Sequence, residues 1–122
     1  LFMLEMKSTH SKSISFQREP DDSGMIKLHQ ISSLSNGGLH EGVITGFIIN
    51  FRHEEDGEPY SEDTYFWPIE AFNDYFVSND RKSAKPIDIV QNGGIIVKQE
   101  QKRKLYDYNV KKLLEDIIKE KQ

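Results

Sequence analysis

The sequence predicts an α/β (α+β) fold, a central mixed β-sheet flanked by helices, and three observations carry that prediction. Residues 42–53 (GVITGFIINFRH) are β-branched and aromatic with almost no charge, as in a mid-sheet strand covered on both faces. Met25, Leu28, Ile31 and Leu34 recur at helical spacing, and Val110, Leu113, Leu114, Ile117 and Ile118 make a second stripe at i, i+3, i+4, i+7 and i+8. Strand-like and helix-like segments alternate along the chain without internal repeats or low-complexity tracts.

In chain order, residues 1–7 alternate as a strand, with Phe2, Leu4 and Met6 on one face and Leu1, Met3, Glu5 and Lys7 on the other. Residues 10–24 are polar and irregular, with Pro20-Asp21-Asp22-Ser23 offering turn residues and N-cap candidates. A helix is expected over Met25 to Leu34, stopped by a left-handed Asn36-Gly37-Gly38. After the strand at 42–53 an acidic hairpin tip leads into a second strand at residues 64–70 (TYFWPIE), closed by Pro68 and followed by a short helix in IEAFNDYF. RKSAKP (81–86) reads as basic and flexible, and Ile87 to Val90 and Ile95 to Val97 as two strands around Asn92-Gly93-Gly94. A helix from about Asp107 closes the chain, packed by its apolar stripe.

At 122 residues the chain suits a single domain with one core. It has no cysteine, which removes disulfides, thiolate catalysis and Cys-based zinc sites. No apolar run approaches the ~20 residues of a membrane span, so a soluble, cytoplasmic protein with no membrane partner is expected. The net charge of −4 is uneven, because residues 54–63 hold six of the 20 acids. Removing them leaves 14 acids against 16 Lys and Arg, a body of about +2. The acidic segment lacks the ligand spacing of an EF-hand loop and reads as a solvated hairpin tip.

Glu5 and Lys7 are the pair with chemical meaning. Two apart on a strand, they project from one face with roughly 7 Å between Cα atoms. A carboxylate there can ligate Mg²⁺, and the ammonium can orient a water or offset charge developing on phosphate. A Glu and a Lys at this spacing are also common on exposed strands, but burying two charges in so apolar a strand is costly without a task.

The stretch LFMLEMKSTHSKSISF resembles the E-x-K strand of the PD-(D/E)xK nuclease superfamily, and more closely the RecU-like Holliday junction resolvases. In that family E-x-K-x-T is followed by a Ser/Thr-rich stretch ending in Ser-Phe, here Ser15-Phe16, then a helix with His-Gln, here His29-Gln30. Gly37-Gly38, the apolar strand Val43 to Phe51, the aromatic Tyr65-Phe66-Trp67, the helix Ile69 to Phe76 and the basic Arg81 to Ser83 continue the pattern in order over most of the chain. The resemblance implies a restriction-endonuclease-like fold, with Glu5 and the backbone carbonyl of Met6 as ligands of Mg²⁺ or Mn²⁺ and Lys7 as the catalytic lysine. It implies that Gln30 faces the site, orienting Lys7 or touching phosphate; the alternative is a helix-surface residue. The superfamily's metal site needs a further acid on a strand before E-x-K, so the resemblance makes residues 1–122 a single nuclease-like domain, the C-terminal portion of a longer chain whose first strand or strands are missing. Asp21 and Asp22 are explained by helix capping.

Phosphate contacts are expected from Lys12, in the loop beyond the E-x-K strand, and from two basic clusters. One is Arg81, Lys82 and Lys85; the other is Lys98, Lys102, Arg103 and Lys104, with Tyr106 and Tyr108 available for stacking. For each cluster the alternative is a solvated surface. The expected function is therefore metal-dependent hydrolysis of DNA four-way junctions in recombination or phage DNA processing, by a homodimer matching the junction's two-fold symmetry. The alternatives are a general DNA nuclease of the same superfamily, or a non-catalytic DNA- or partner-binding module that keeps the fold.

Overall fold

The computed structural model describes residues 1–53 and 61–97. Its elements are β1 (Phe2–Thr9), β2 (Ile14–Ser15), α1 (Leu28–Gly37), β3 (Ile44–His53), β4 (Ser61–Pro68), α2 (Ile69–Ser78), β5 (Ser83–Ala84), α3 (Pro86–Gln91) and β6 (Ile95–Val97). The order of strands in the main sheet is β1-β3-β4-β6, with β1 parallel to β3 and the other pairs antiparallel. The fold is thus α+β with a mixed four-stranded sheet flanked by helices, and β1 is an edge strand. A second, two-stranded sheet joins β2 to β5. No helix among the described residues is long and apolar enough to cross a membrane.

Strand alternation splits the apolar residues between two faces. Phe47, Ile49 and Phe51 of β3 and Tyr65 and Trp67 of β4 meet Ile31 and Leu34 of α1, Phe72 and Tyr75 of α2 and Ile89 of α3 in the main core. Ile48, Phe66 and Val97 point the other way into a smaller cluster with Phe2, Leu4, Ile44 and Ile95 at its rim. Gly46 is required where β3 and β4 cross closely: an added β-carbon would lie 2.5 Å from the Trp67 carbonyl oxygen and 3.0 Å from Pro68 Cα. Gly46→Ala is therefore expected to cost about 2–3 kcal/mol of stability, read as a lowered denaturant midpoint.

Five local expectations are corrected. The first helix starts at Leu28, because Met25 and Ile26 are drawn into a loop pairing, both N–H groups donating to the Ser15 carbonyl. Its N-cap is Lys27, and no residue of Pro20 to Ser23 caps it. Its end is not left-handed: Gly38 has φ −69° and donates to the Leu34 carbonyl, and the next glycine along, Gly42, is the one with positive φ in this connection. Ile87 to Val90 lie in a helix, because Pro86 occupies its first turn and Asp88 Oδ2 accepts the Lys85 N–H across the cap. A short apolar run has no period that separates strand from helix. Ser83-Ala84, inside the stretch read as flexible, is β5. The helix from Asp107 and the acidic tip at 54–60 lie outside the described residues, while Asp63 belongs to β4.

The irregular stretch after β2 is held by side chains. Gln17 accepts the Leu28 N–H and donates to the carbonyls of Pro20 and Asp22. The Arg18 guanidinium lies 4.2 Å from the centre of the Phe76 ring and donates to the Phe76 and Arg81 carbonyls. Asp22 accepts from Lys82 Nζ at 3.0 Å and from the backbone of Arg18 and Glu19, which together hold its carboxyl below the ordinary 3.8 despite some desolvation. A carboxyl lowered in the folded state contributes stability that is present above its unfolded value and lost as pH falls through the lower folded one. The expected result is an Asp22 titration midpoint below 3.8 by carboxyl NMR, and a shallower acid limb of the stability curve in Asp22→Asn.

Candidate functional site

Glu5 and Lys7 stand opposite Phe47 and Ile49 on the sheet face that the helices cover. Lys7 Nζ lies 3.6 Å from Glu5 Oε1, with the Lys7 side chain 15% exposed and that of Glu5 39%. The ammonium is thus mostly sheltered while the carboxylate opens to solvent. Gln30, the third residue of α1, donates from Nε2 to the same Glu5 Oε1 at 3.2 Å. Its Oε1 accepts the Lys27 N–H at 2.9 Å and closes the helix cap. Because the cap occupies the amide oxygen, the amide nitrogen is left facing the strand. Gln30 therefore orients Glu5 rather than Lys7, as a consequence of how α1 begins.

Both contacts fall on one oxygen of Glu5. The Ile44 N–H donates to the Leu1 carbonyl, which sets the phase of the parallel ladder. The carbonyls of Leu1, Met3, Glu5 and Lys7 turn toward β3, and that of Met6 turns away from it. A carboxylate and a backbone carbonyl are hard oxygen donors of the kind Mg²⁺ and Mn²⁺ take, with waters and phosphate completing the shell. No group of three His, Asp or Glu capable of holding a metal occurs among the described residues.

The basic residues separate into two kinds. Arg81 lies 3.5 Å from Asp88 and Lys82 lies 3.0 Å from Asp22, so each is matched by an acid. The antiparallel register of β2 and β5, Ile14 with Ala84, sets the backbone of Lys85 beside Ser13 and so next to the exposed turn carrying Lys12. That turn follows β1 directly and is pinned where Thr9 Oγ1 accepts the Ser11 N–H. Arg103 lies outside the described residues. Gln17, which fastens the first turn of α1 and hence Gln30, carries no local sequence signal; only the fold reveals its part.

Gln30→Ala removes both the cap acceptor and the donor to Glu5. It is expected to cost about 1 kcal/mol of stability and, where Glu5 carries a metal, about 10- to 100-fold in metal affinity or activity. Chemical denaturation and a metal titration measure the two separately.

No family model matches the chain, and no solved structure matches it. It is similar to the SPbeta prophage-derived uncharacterized protein YotM of Bacillus subtilis (strain 168), 32% identical over 133 aligned residues. The match takes in all of this chain and 63% of the relative, so the chain spans less than two thirds of that protein's length.

Proposed function

We propose that this chain is the E-x-K part of a metal-dependent DNA endonuclease of restriction-endonuclease-like fold that resolves four-way junctions as a homodimer. The observation that carries the reading is the meeting of Glu5, Lys7 and Gln30 on one face of an edge strand in a mixed sheet. Glu5 and the Met6 carbonyl would hold Mg²⁺ or Mn²⁺, which when bound supplies charge stabilisation at phosphate and a more acidic water. Lys7, sheltered beside Glu5, offsets charge on the phosphate as water attacks phosphorus and the P–O bond to the leaving hydroxyl breaks. Gln30 keeps the Glu5 carboxylate in one orientation. Lys12 and Lys85, on segments brought near one another by the β2–β5 pairing and with no ion pair to either ammonium among the described contacts, are better placed to take a strand's phosphates than the acid-matched Arg81 and Lys82. A prophage-derived relative is in keeping with a role in phage DNA processing.

The alternative is a general DNA nuclease of the same superfamily, or a non-catalytic DNA- or partner-binding module that keeps the fold. Cleavage of a labelled four-way junction in Mg²⁺, beside linear duplex of the same sequence, separates the possibilities when done with protein from the complete reading frame. Paired symmetric nicks support a resolvase, and equal cutting of duplex leaves a general nuclease. Tight junction binding with no cutting in Mg²⁺ or Mn²⁺ leaves the binding module.

A further inference from the structure

The first N–H of α1, that of Leu28, can have no acceptor within its own helix. Lys27, at the N-cap, cannot supply one, because its side chain only donates. Gln17, eleven residues before Leu28, fills the role: its Oε1 accepts the Leu28 N–H at 3.0 Å, and its backbone N–H donates to the Ile26 carbonyl at 2.8 Å. The Gln17 amide is held one way round, because its Nε2 donates to the Pro20 and Asp22 carbonyls, each at 3.0 Å. Turned over, it would set an NH₂ group against the Leu28 N–H. At its other end α1 is tied to β3, where Thr45 Oγ1 donates to the Leu34 carbonyl at 2.8 Å in the buried interior.

We infer that Gln17 is a positioning residue for the Glu5 carboxylate, acting through the first turn of α1 and Gln30; its effect on a bound metal rests on the nuclease reading. Gln30 stands two residues beyond Leu28 in the same turn, with its Oε1 engaged by the Lys27 N–H and its Nε2 by Glu5 Oε1. The contact with Glu5 is 3.2 Å, at the long end of the hydrogen-bond range, so a shift of the turn by about half an ångström breaks it. With that contact goes the restraint that, beside Lys7, keeps Glu5 Oε1 engaged and leaves Oε2 for a cation. The effect of Gln17 is thus on where the carboxylate points, at one remove from the chemistry.

The test compares protein from the complete reading frame with its Gln17→Asn variant, whose side chain is a methylene too short to reach Leu28. Three N–H signals in a ¹⁵N-correlated NMR spectrum are followed. Leu28 reports the bond to residue 17, the Gln30 side-chain amide reports its consequence, and the Trp67 indole, which donates to the Asn92 carbonyl, reports an intact core. The expected result is that Leu28 and Gln30 move while Trp67 stays, and that the Mn²⁺ dissociation constant, measured by calorimetry, rises about 10-fold. A Gln30 signal that stays while Leu28 moves overturns the inference. Equal Mn²⁺ affinity of the two proteins also overturns it, and leaves the nuclease reading standing. Failure of the unaltered protein to take up Mn²⁺ removes the proposed metal position instead, and the Gln30 signal then decides by itself whether Gln17 positions Glu5. Where Gln17→Asn loses the Trp67 signal too, Gln17→Glu takes its place: it keeps an acceptor for Leu28 and must keep the Gln30 signal, whose displacement there overturns the inference.

Discussion

On the proposed nuclease reading, Glu5→Gln is expected to lower Mg²⁺-dependent DNA cleavage by about 10³-fold or more, a barrier increase of about 4 kcal/mol, while leaving the fold intact. Gln keeps the shape and still offers an oxygen to Gln30 Nε2, so the geometry of α1 and its cap survives. What is lost is the negative charge that lies beside Lys7 and that would hold the divalent cation of the proposed site. The cost in stability is small, about 1 kcal/mol, because the Glu5 side chain is 39% exposed and water screens much of the pair. Lys7→Met is expected to match the loss of cleavage while preserving metal binding, since the ammonium ligates nothing. Single-turnover cleavage with Mg²⁺ titration reads both variants. Cleavage by Glu5→Gln within a few-fold of the unaltered protein would remove Glu5 from the chemistry and with it the proposed metal position.

Phe72→Ala is expected to be the most damaging single change to stability, costing about 4 kcal/mol. Phe72 is fully buried, with ring centres 5.6 Å from Phe16, 5.0 Å from Phe47 and 5.1 Å from Trp67 at steep interplanar angles. Its removal opens a cavity walled by other rings that cannot collapse inward without leaving their rotamers, and it forfeits the edge-to-face contacts as well. A domain of this size has about 5–15 kcal/mol in total, so the variant loses about a quarter or more of its stability. Urea unfolding should show the midpoint falling with an unchanged slope. A loss under about 2 kcal/mol would mean that α2 settles onto the sheet and the core is looser than its ring geometry indicates.

Most elements were legible where one residue pattern had one cheap solution. The run from Val43 to Phe51 has no face free of apolar side chains, so only a central strand buries it all, and Gly46 within it marks the close crossing of β4. The E-x-K pair was legible by the same alternation, because residues two apart on a strand share a side whatever surrounds them. Less legible were places settled by a distant partner. Pro86, Lys85 and Asp88 turn the stretch Ile87 to Val90 into a helix, and Ser15 draws Met25 and Ile26 out of theirs. The acids opposite Arg81 and Lys82 lie 7 and 60 positions away in sequence, beyond any local pattern.

By itself the sequence determined the period of the longer segments, the division of apolar residues between two faces of a sheet, and the presence of a carboxylate and an ammonium on one side of β1. The tertiary structure alone decided that Gln30 points its amide nitrogen at Glu5, that β2 pairs with β5, and that β1 lies at the edge of the sheet among the described residues. The reason is physical. Side-chain period is a property of the backbone over a few residues, whereas a hydrogen-bond partner or a strand neighbour depends on chain closures spanning tens of residues, and those are chosen by the packing of the whole core.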